Sequence, residues 1–264
     1  MKLEILSRLP SKRRSATPVL FIHGAYVAAW CWGEYFLPHF SGRGYAAHAL
    51  SLRGHGGSDG HDTLHLHSLD DYVEDVRQAV AQLGAPPVLV GHSMGGIVVQ
   101  RYLERHHAPA AVLMASVPPG GLLGSTLDLM RKDPAFFHEI GLLQYVNPHL
   151  VSADGVRRAL FSPDTPEAEV AKVLGRGQRE SYRAIMDMTW PQFRVNGNRN
   201  SAPPMLVLGG EKDAFFGPEA VKATAQCFGA QAEILPDMAH AMMLEPRWQT
   251  AADSILAWLA ARNI

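Results

Sequence analysis

Cysteine is scarce: Cys31 and Cys227 are the only two in 264 residues. Neither sits in a metal-like pair or a dense framework, which argues against disulfide stapling and structural zinc. An excess of one charge is missing too. With a formal net charge of -1, the chain has neither the basic surplus of a nucleic-acid binder nor an acidic tail. Lys12, Arg13 and Arg14 form a short basic run. It reads as a solvated hairpin tip between the first strands, far short of what a membrane-surface role needs. No stretch approaches the roughly 18 uncharged apolar residues of a membrane span. Met1 to Pro10 alternates Leu3, Ile5 and Leu9 with Glu4 and Arg8 and lacks the apolar run of a secretory leader. These absences together lead us to expect a cytoplasmic protein.

What is present is an ordinary globular composition, 47% hydrophobic, long enough to bury one sizeable core. Short apolar runs bounded by turn residues recur at Val19–Ile22, Ala46–Leu50, Val88–Val90, Ala110–Met114, Met205–Leu208 and Ala232–Leu235. Helical patterns fall between them, so the reading is an α/β fold built of βα units around a mainly parallel sheet. One helix is sharply marked. Ser68 is its cap, Asp71 completes a capping box, Leu69, Val73, Val76, Val80 and Leu83 form one stripe, and Gly84 stops it. From about Pro119 to Pro191 the strand signals vanish, and helical patterns are broken by Asp133-Pro134, Asn147-Pro148 and Ser162-Pro163-Asp164-Thr165-Pro166. Residues 119–191 are therefore read as a helical cap inserted into a core made of 1–118 and 192–264. The βα rhythm resumes at Ala202 and ends in an amphipathic helix around Ser254 to Ala261.

The chemistry lies at Gly91-His92-Ser93-Met94-Gly95, which fits the G-x-S-x-G elbow that lifts a serine above the edge of a sheet. Glycine is needed at either flank because a Cβ there would crowd a neighbouring strand or helix. The third glycine of a dinucleotide fingerprint and the Gly-Lys-Ser/Thr of a phosphate loop are both missing, so nucleotide binding is disfavoured. A serine hydroxyl becomes a useful nucleophile when a histidine takes its proton, and that histidine needs an acid to set its tautomer. Asp213 follows the run ending in Gly209-Gly210, and His240 follows the last apolar run after a short loop. The order Ser93, Asp213, His240 suits an acid and a base placed beyond the carboxyl ends of strands. Glu211 and Asp237 stand as alternative acids. In Val19-Leu-Phe-Ile-His-Gly-Ala25 a strand ends in His23-Gly24. The Ala25 N–H and the Met94 N–H are the candidate oxyanion donors. His23 itself reads as a loop-stabilising residue bonded to backbone, and Tyr26 as part of the cavity wall.

His23-Gly24, the Arg53-Gly-His-Gly-Gly-Ser58 loop, the Ser93 elbow, Asp213 and His240 jointly resemble the α/β-hydrolase superfamily along nearly the whole chain. Gly-His-Ser-Met-Gly-Gly and the Arg-Gly-His-Gly loop are most similar to bacterial carboxylesterases and to monoacylglycerol-lipase or lysophospholipase-like members. His23 to Trp32 resembles the methylesterase and hydroxynitrile-lyase group. The resemblance implies a serine esterase acting on short- to medium-chain esters through an acyl-enzyme, with a small-molecule substrate and no metal or organic cofactor. A carbon-carbon bond hydrolase, a thioesterase or lactonase, a hydroxynitrile lyase and a ligand receptor of the same fold remain open. Epoxide hydrolases and haloalkane dehalogenases use a carboxylate nucleophile where this chain has Ser93.

Other clusters have plainer readings. His61, His65 and His67 with Asp70 and Asp71 depart from metal-hydrolase spacing, and the acids suit the cap of the next helix. Trp30, Trp32 and Phe36 suit scaffold packing better than a substrate wall, and His106-His107 suit a helix end. Met242 and Trp190 are candidates for contact with substrate. The apolar cap residues Leu122, Leu123, Leu127, Met130, Phe136, Phe137, Leu142, Leu143, Tyr145 and Met186 divide between cap anchoring and an acyl pocket. The oligomeric state is not legible.

Overall fold

A computed structural model describes residues 1–145, 152–190 and 203–264. Seven strands form one sheet: β1 (Glu4–Arg8), β2 (Val19–Ile22), β3 (Ala47–Ser51), β4 (Val88–His92), β5 (Ala111–Met114), β6 (Met205–Gly210) and β7 (Gln231–Leu235). Their spatial order is β1-β3-β2-β4-β5-β6-β7. β1 runs antiparallel to β3, and every other pair is parallel. The six apolar runs singled out above thus coincide with β2 to β7. The basic run at Lys12 to Arg14 is not a hairpin tip. β1 pairs with β3, and both edges of β2 are taken by the parallel strands β3 and β4, which leaves no antiparallel partner for a hairpin.

Alternation along the strands distributes two cores. Val19 and Phe21 face one side with Val88, Val90, Leu206 and Leu208, packed beneath α1 (Trp30–Gly33), α2 (Phe36–Gly42) and α11 (Trp248–Ala260). Leu20 and Ile22 face the other with Leu89, Leu113, Met205 and Val207, beneath α3 (Leu69–Gln82), α4 (Met94–Leu103) and α10 (Pro218–Phe228). A strand buried on both faces reads as an unbroken apolar run, which is why these were legible. The first core contains Trp32 and Phe36, both with no exposed surface; their rings lie 4.9 and 5.8 Å from Phe21, so they belong to the scaffold. α11 starts at Trp248, earlier than the apolar stripe suggested, because Trp248 stacks on Tyr35 at 5.0 Å.

α3 has the capping box read from the sequence. Ser68 Oγ accepts from Asp71 N at 3.2 Å, and Asp71 Oδ2 accepts from Ser68 N at 2.9 Å. Asp71 also pairs with Arg53 at 2.9 Å, and Asp70 with Arg101 at 3.2 Å, so both acids have structural employment. Ser68→Ala is expected to lower unfolding stability by about 1 kcal/mol, measurable by chemical denaturation, with activity retained.

Between β5 and β6 the described chain is helical: α5 (Leu123–Lys132), α6 (Pro134–Tyr145), α7 (Ala153–Leu160), α8 (Glu167–Arg176) and α9 (Tyr182–Thr189). The break at Asn147-Pro148, the boundary at residues 191–192, the restart at Ala202 and the side chains of Leu142, Leu143 and Tyr145 lie outside the described residues. α4 ends at Leu103, so His106 and His107 sit just beyond it, with the His106 ring 4.7 Å from Tyr102. Among the described residues, no helix is long and apolar enough to cross a membrane.

Candidate active site

β4 delivers Ser93 at its carboxyl end, and α4 begins at the next residue. The backbone at Ser93 has φ 52° and ψ -115°, a conformation that costs a non-glycine residue about 1–3 kcal/mol. Its surroundings hold it there. Ser93 N donates to Met114 O on β5 at 3.1 Å, and Ser93 O accepts from Gly96 N and Val117 N at 3.0 and 3.2 Å. Both flanking glycines are sterically required. A Cβ on Gly91 would strike the Gly95 carbonyl, and one on Gly95 would strike the carbonyls of Ile22 and His23 on the neighbouring strand.

β6 and β7 deliver the other two groups from adjacent strand ends. Glu211 N donates to Leu235 O and Lys212 N to Met238 O, each at 2.9 Å, joining the loop after β6 to the loop after β7. His240 Nδ1 then donates to Asp213 Oδ2 at 2.9 Å between side chains that are almost wholly buried. The other carboxylate oxygen of Asp213 accepts from Phe215 N at 2.8 Å and Phe216 N at 3.0 Å. This arrangement leaves His240 Nε2 as the basic nitrogen. Glu211 does not bond His240: its carboxylate is exposed, accepts from Asp237 N at 3.2 Å and pairs with Lys212. Asp237 is an exposed turn residue with φ 53°.

Ser93 Oγ makes no hydrogen bond to His240 among the described residues. The link between their loops runs through His92, whose Nε2 donates to His240 O at 2.9 Å and whose ring centre lies 4.8 Å from that of His240.

His23 has the backbone-bonded role read from the sequence. Leu52 N donates to its Nε2 at 3.0 Å, which obliges Nδ1 to carry the proton that it donates to Gly24 O at 2.8 Å. Burial, reinforced by the nearby His55 charge, lowers its pKa to about 3, so this tautomer persists. Gly24 O and Ala25 N–H lie on opposite edges of one planar peptide, so fixing the carbonyl also fixes the direction of the Ala25 N–H. Neither the Ala25 nor the Met94 amide donates a hydrogen bond among the described residues.

The remaining sequence candidates are placed as follows. Tyr26 is half-buried with φ 67°, and its carbonyl accepts from Gln178 N at 2.9 Å. Met242, expected to touch substrate, has no exposed surface and packs in the first core; the apolar patterning around His240 marked burial. Trp190 ends α9 with 58% of its surface exposed. Trp30 lies under Arg176, 4.4 Å from the guanidinium.

Two features escaped the sequence reading. Phe215 and Phe216 lie 4.9 and 5.7 Å from the His240 ring, and Phe136 of α6 lies 5.9 Å from Phe215. The aromatic pair directly after Asp213 was the available signal. The second is a buried ion pair: His55 Nδ1 donates to Arg53 O at 2.9 Å and Nε2 to Glu180 Oε2 at 3.0 Å. Two donated bonds make His55 an imidazolium. Glu180 also accepts from Tyr72 Oη and Ser181 N, each at 2.7 Å. Nothing in the local pattern distinguishes Glu180 from a solvated carboxylate.

The fold recurs in known proteins. The model of the Alpha/beta hydrolase family matches residues 19–252, and the chain belongs to that family. A non-heme haloperoxidase of Rhodococcus erythropolis is 40% identical over 109 residues, 40% of this chain and 39% of that protein. Epoxide hydrolase 3 of Xenopus tropicalis is 25% identical over 243 residues, 84% of this chain and 66% of that protein. The chain thus spans two-fifths to two-thirds of these relatives' length. Among solved structures, the monoacylglycerol lipase of Paleococcus ferrophilus superposes with a TM-score of 0.73 at 21% identity, covering 99% of each chain.

Proposed function

We propose that this protein is a serine hydrolase that cleaves short- to medium-chain carboxylic esters through an acyl-enzyme. The observation that carries the reading is the buried 2.9 Å bond from His240 to Asp213, with His240 O tied at 2.9 Å to His92, the neighbour of a serine held at φ 52°. With Nδ1–H committed to Asp213, His240 Nε2 takes the Ser93 proton as the hydroxyl attacks the ester carbonyl. The Ala25 and Met94 N–H groups receive the oxyanion, and having no acceptor among the described residues keeps them available. His240 returns the proton to the departing alcohol, and water repeats the sequence on the acyl-enzyme. Every step is supplied by side chains and backbone, so the route calls on no metal or organic cofactor.

Residues 119–191 act in this reading as a cap over the core. Phe136, Phe215 and Phe216 supply an apolar wall beside His240, suited to an acyl chain and to the exclusion of water. The cap is tied to the core by polar contacts. Gln178 Oε1 accepts from Gly56 N and its Nε2 donates to Gly54 O, both at 3.0 Å, and Ser181 Oγ donates to His67 O at 2.6 Å.

A fluorophosphonate probe followed by peptide mapping tests the nucleophile, and p-nitrophenyl esters of graded acyl length test the substrate class. The expected result is a single adduct on Ser93, and kcat/KM that peaks at short or medium acyl chains. An adduct elsewhere, or turnover confined to epoxides or to carbon-carbon substrates in a parallel panel, would overturn the reading.

A further inference from the structure

The peptide that follows the proposed base is gripped at both ends. His240 O accepts from His92 Nε2 at 2.9 Å, and the N–H of the same peptide unit, on Ala241, donates to Leu160 O at 2.8 Å. One grip comes from the residue next to Ser93, the other from the end of α7 in the inserted helices. Because a peptide unit is planar, two opposed bonds fix its orientation and with it the position of the His240 Cα, the atom that carries the imidazole side chain. Ser93 and His240 come from strand ends far apart in sequence; the bond from His92 spans 148 positions.

His92 is built to make this one contact. It is 5% exposed, and a carbonyl acceptor obliges Nε2 to carry the proton. Nδ1 is buried and has no partner among the described residues; it faces Gly24, where an added Cβ would come within 2.9 Å of it. A second proton would place an unpaired charge in that dry space. Burial first, then the nearby His240, lowers the His92 pKa well below its ordinary value. His92 is therefore a neutral donor of fixed tautomer.

We propose that His92 is a positioning residue for His240, holding the base toward the nucleophile by donating from Nε2 to the His240 carbonyl. Its effect on rate rests on the ester-hydrolase reading, but its effect on His240 geometry does not. The test compares His92→Gln, whose side-chain amide reaches to the Nε2 position, with His92→Met, of similar length but without a donor. In His92→Met, kcat for a p-nitrophenyl ester and the rate of fluorophosphonate labelling are expected to fall by about 10- to 100-fold with little change in KM, since a small misplacement of a catalytic group costs rates of this order. His92→Gln is expected to recover most of the loss. In parallel, 15N NMR of the imidazoles follows the His240 Nδ1–H resonance, which should broaden or exchange faster in His92→Met and sharpen again in His92→Gln.

Equal rates and equal His240 spectra in all three proteins would overturn the positioning role. If native protein turns over no ester, yet the His240 resonance responds as described, the positioning role stands and the ester reading falls. Should His92→Met fail to fold, the native spectrum decides: His92 must show Nε2–H and an unprotonated Nδ1 from about pH 5 to about pH 9, the range that ordinary histidines cross. An Nδ1–H signal would refute the assignment.

Discussion

Ser93→Ala is expected to lower kcat for ester hydrolysis by about a million-fold, because the acyl-enzyme route has no substitute for the missing oxygen. Residual catalysis of about 10³–10⁴ over water should survive, since the unbonded amides of Ala25 and Met94 still meet an oxyanion. Asp213→Asn gives a smaller loss of about 10⁴, for a reason visible in the geometry. The Phe215 and Phe216 amides both donate to Oδ1, so an asparagine must keep its carbonyl there and turn its NH2 toward His240. That group is a donor, so His240 Nδ1 becomes the acceptor and the proton moves to Nε2, where the lone pair is needed. Steady-state rates with a p-nitrophenyl ester, with circular dichroism as the control for folding, check both. A Ser93→Ala protein retaining even a tenth of native kcat would exclude Ser93 as the nucleophile.

The two variants differ in what the sequence could reveal about them. Strand ends are where an open α/β sheet gathers its site, so the placement of Ser93, Asp213 and His240 just beyond strand ends could be read from pattern alone. The sheet was equally legible, because β2 to β6 are buried on both faces and leave unbroken apolar runs. β1 shows where this stops. Its backbone pairs with β3, not β2, and strand order is decided by contacts that no local run encodes. Met242 shows another limit: an apolar residue close in sequence to His240 reads alike whether it faces substrate or core.

His92, His55 and Glu180 illustrate a third limit. Each is a polar residue whose meaning lies in a partner more than 100 positions away. A histidine with one carbonyl partner and a dry second nitrogen, as at His92, is forced neutral. A histidine with a carbonyl and a carboxylate, as at His55, is forced positive. Sequence shows two histidines beside glycines in both cases. Opposite protonation states arise from the acceptors alone, and those are properties of the folded chain.

Glu180→Gln is expected to lower stability by about 3–5 kcal/mol, the cost of leaving one member of a buried ion pair alone. Both side chains of the pair are wholly buried, so neither can turn to water for compensation. The dependence on pH follows from opposite displacements. Burial alone would lower the His55 pKa, but the Glu180 charge and hydrogen bond and the Arg53 carbonyl outweigh it and raise it above 6.5. Burial alone would raise that of Glu180, but the charge and hydrogen bond of His55, with Tyr72 and Ser181, bring it below 4.5. The His55 contribution is complete below 6.5 and is lost as pH rises through its elevated folded value. The Glu180 contribution is complete above 4.5 and is lost as pH falls through its depressed folded value. The native protein's advantage over Glu180→Gln should therefore be widest between 4.5 and 6.5 and narrow on both sides. Urea denaturation of both proteins from well below 4.5 to well above 6.5 measures it, and a difference that stays constant over that whole span would show that the pair is not ionised. Because Glu180 lies between α8 and α9 and His55 in the loop after β3, the same loss weakens the hold of the inserted helices on the core. Between 4.5 and 6.5 the variant's helices should accordingly be cleaved faster by protease than those of the native chain.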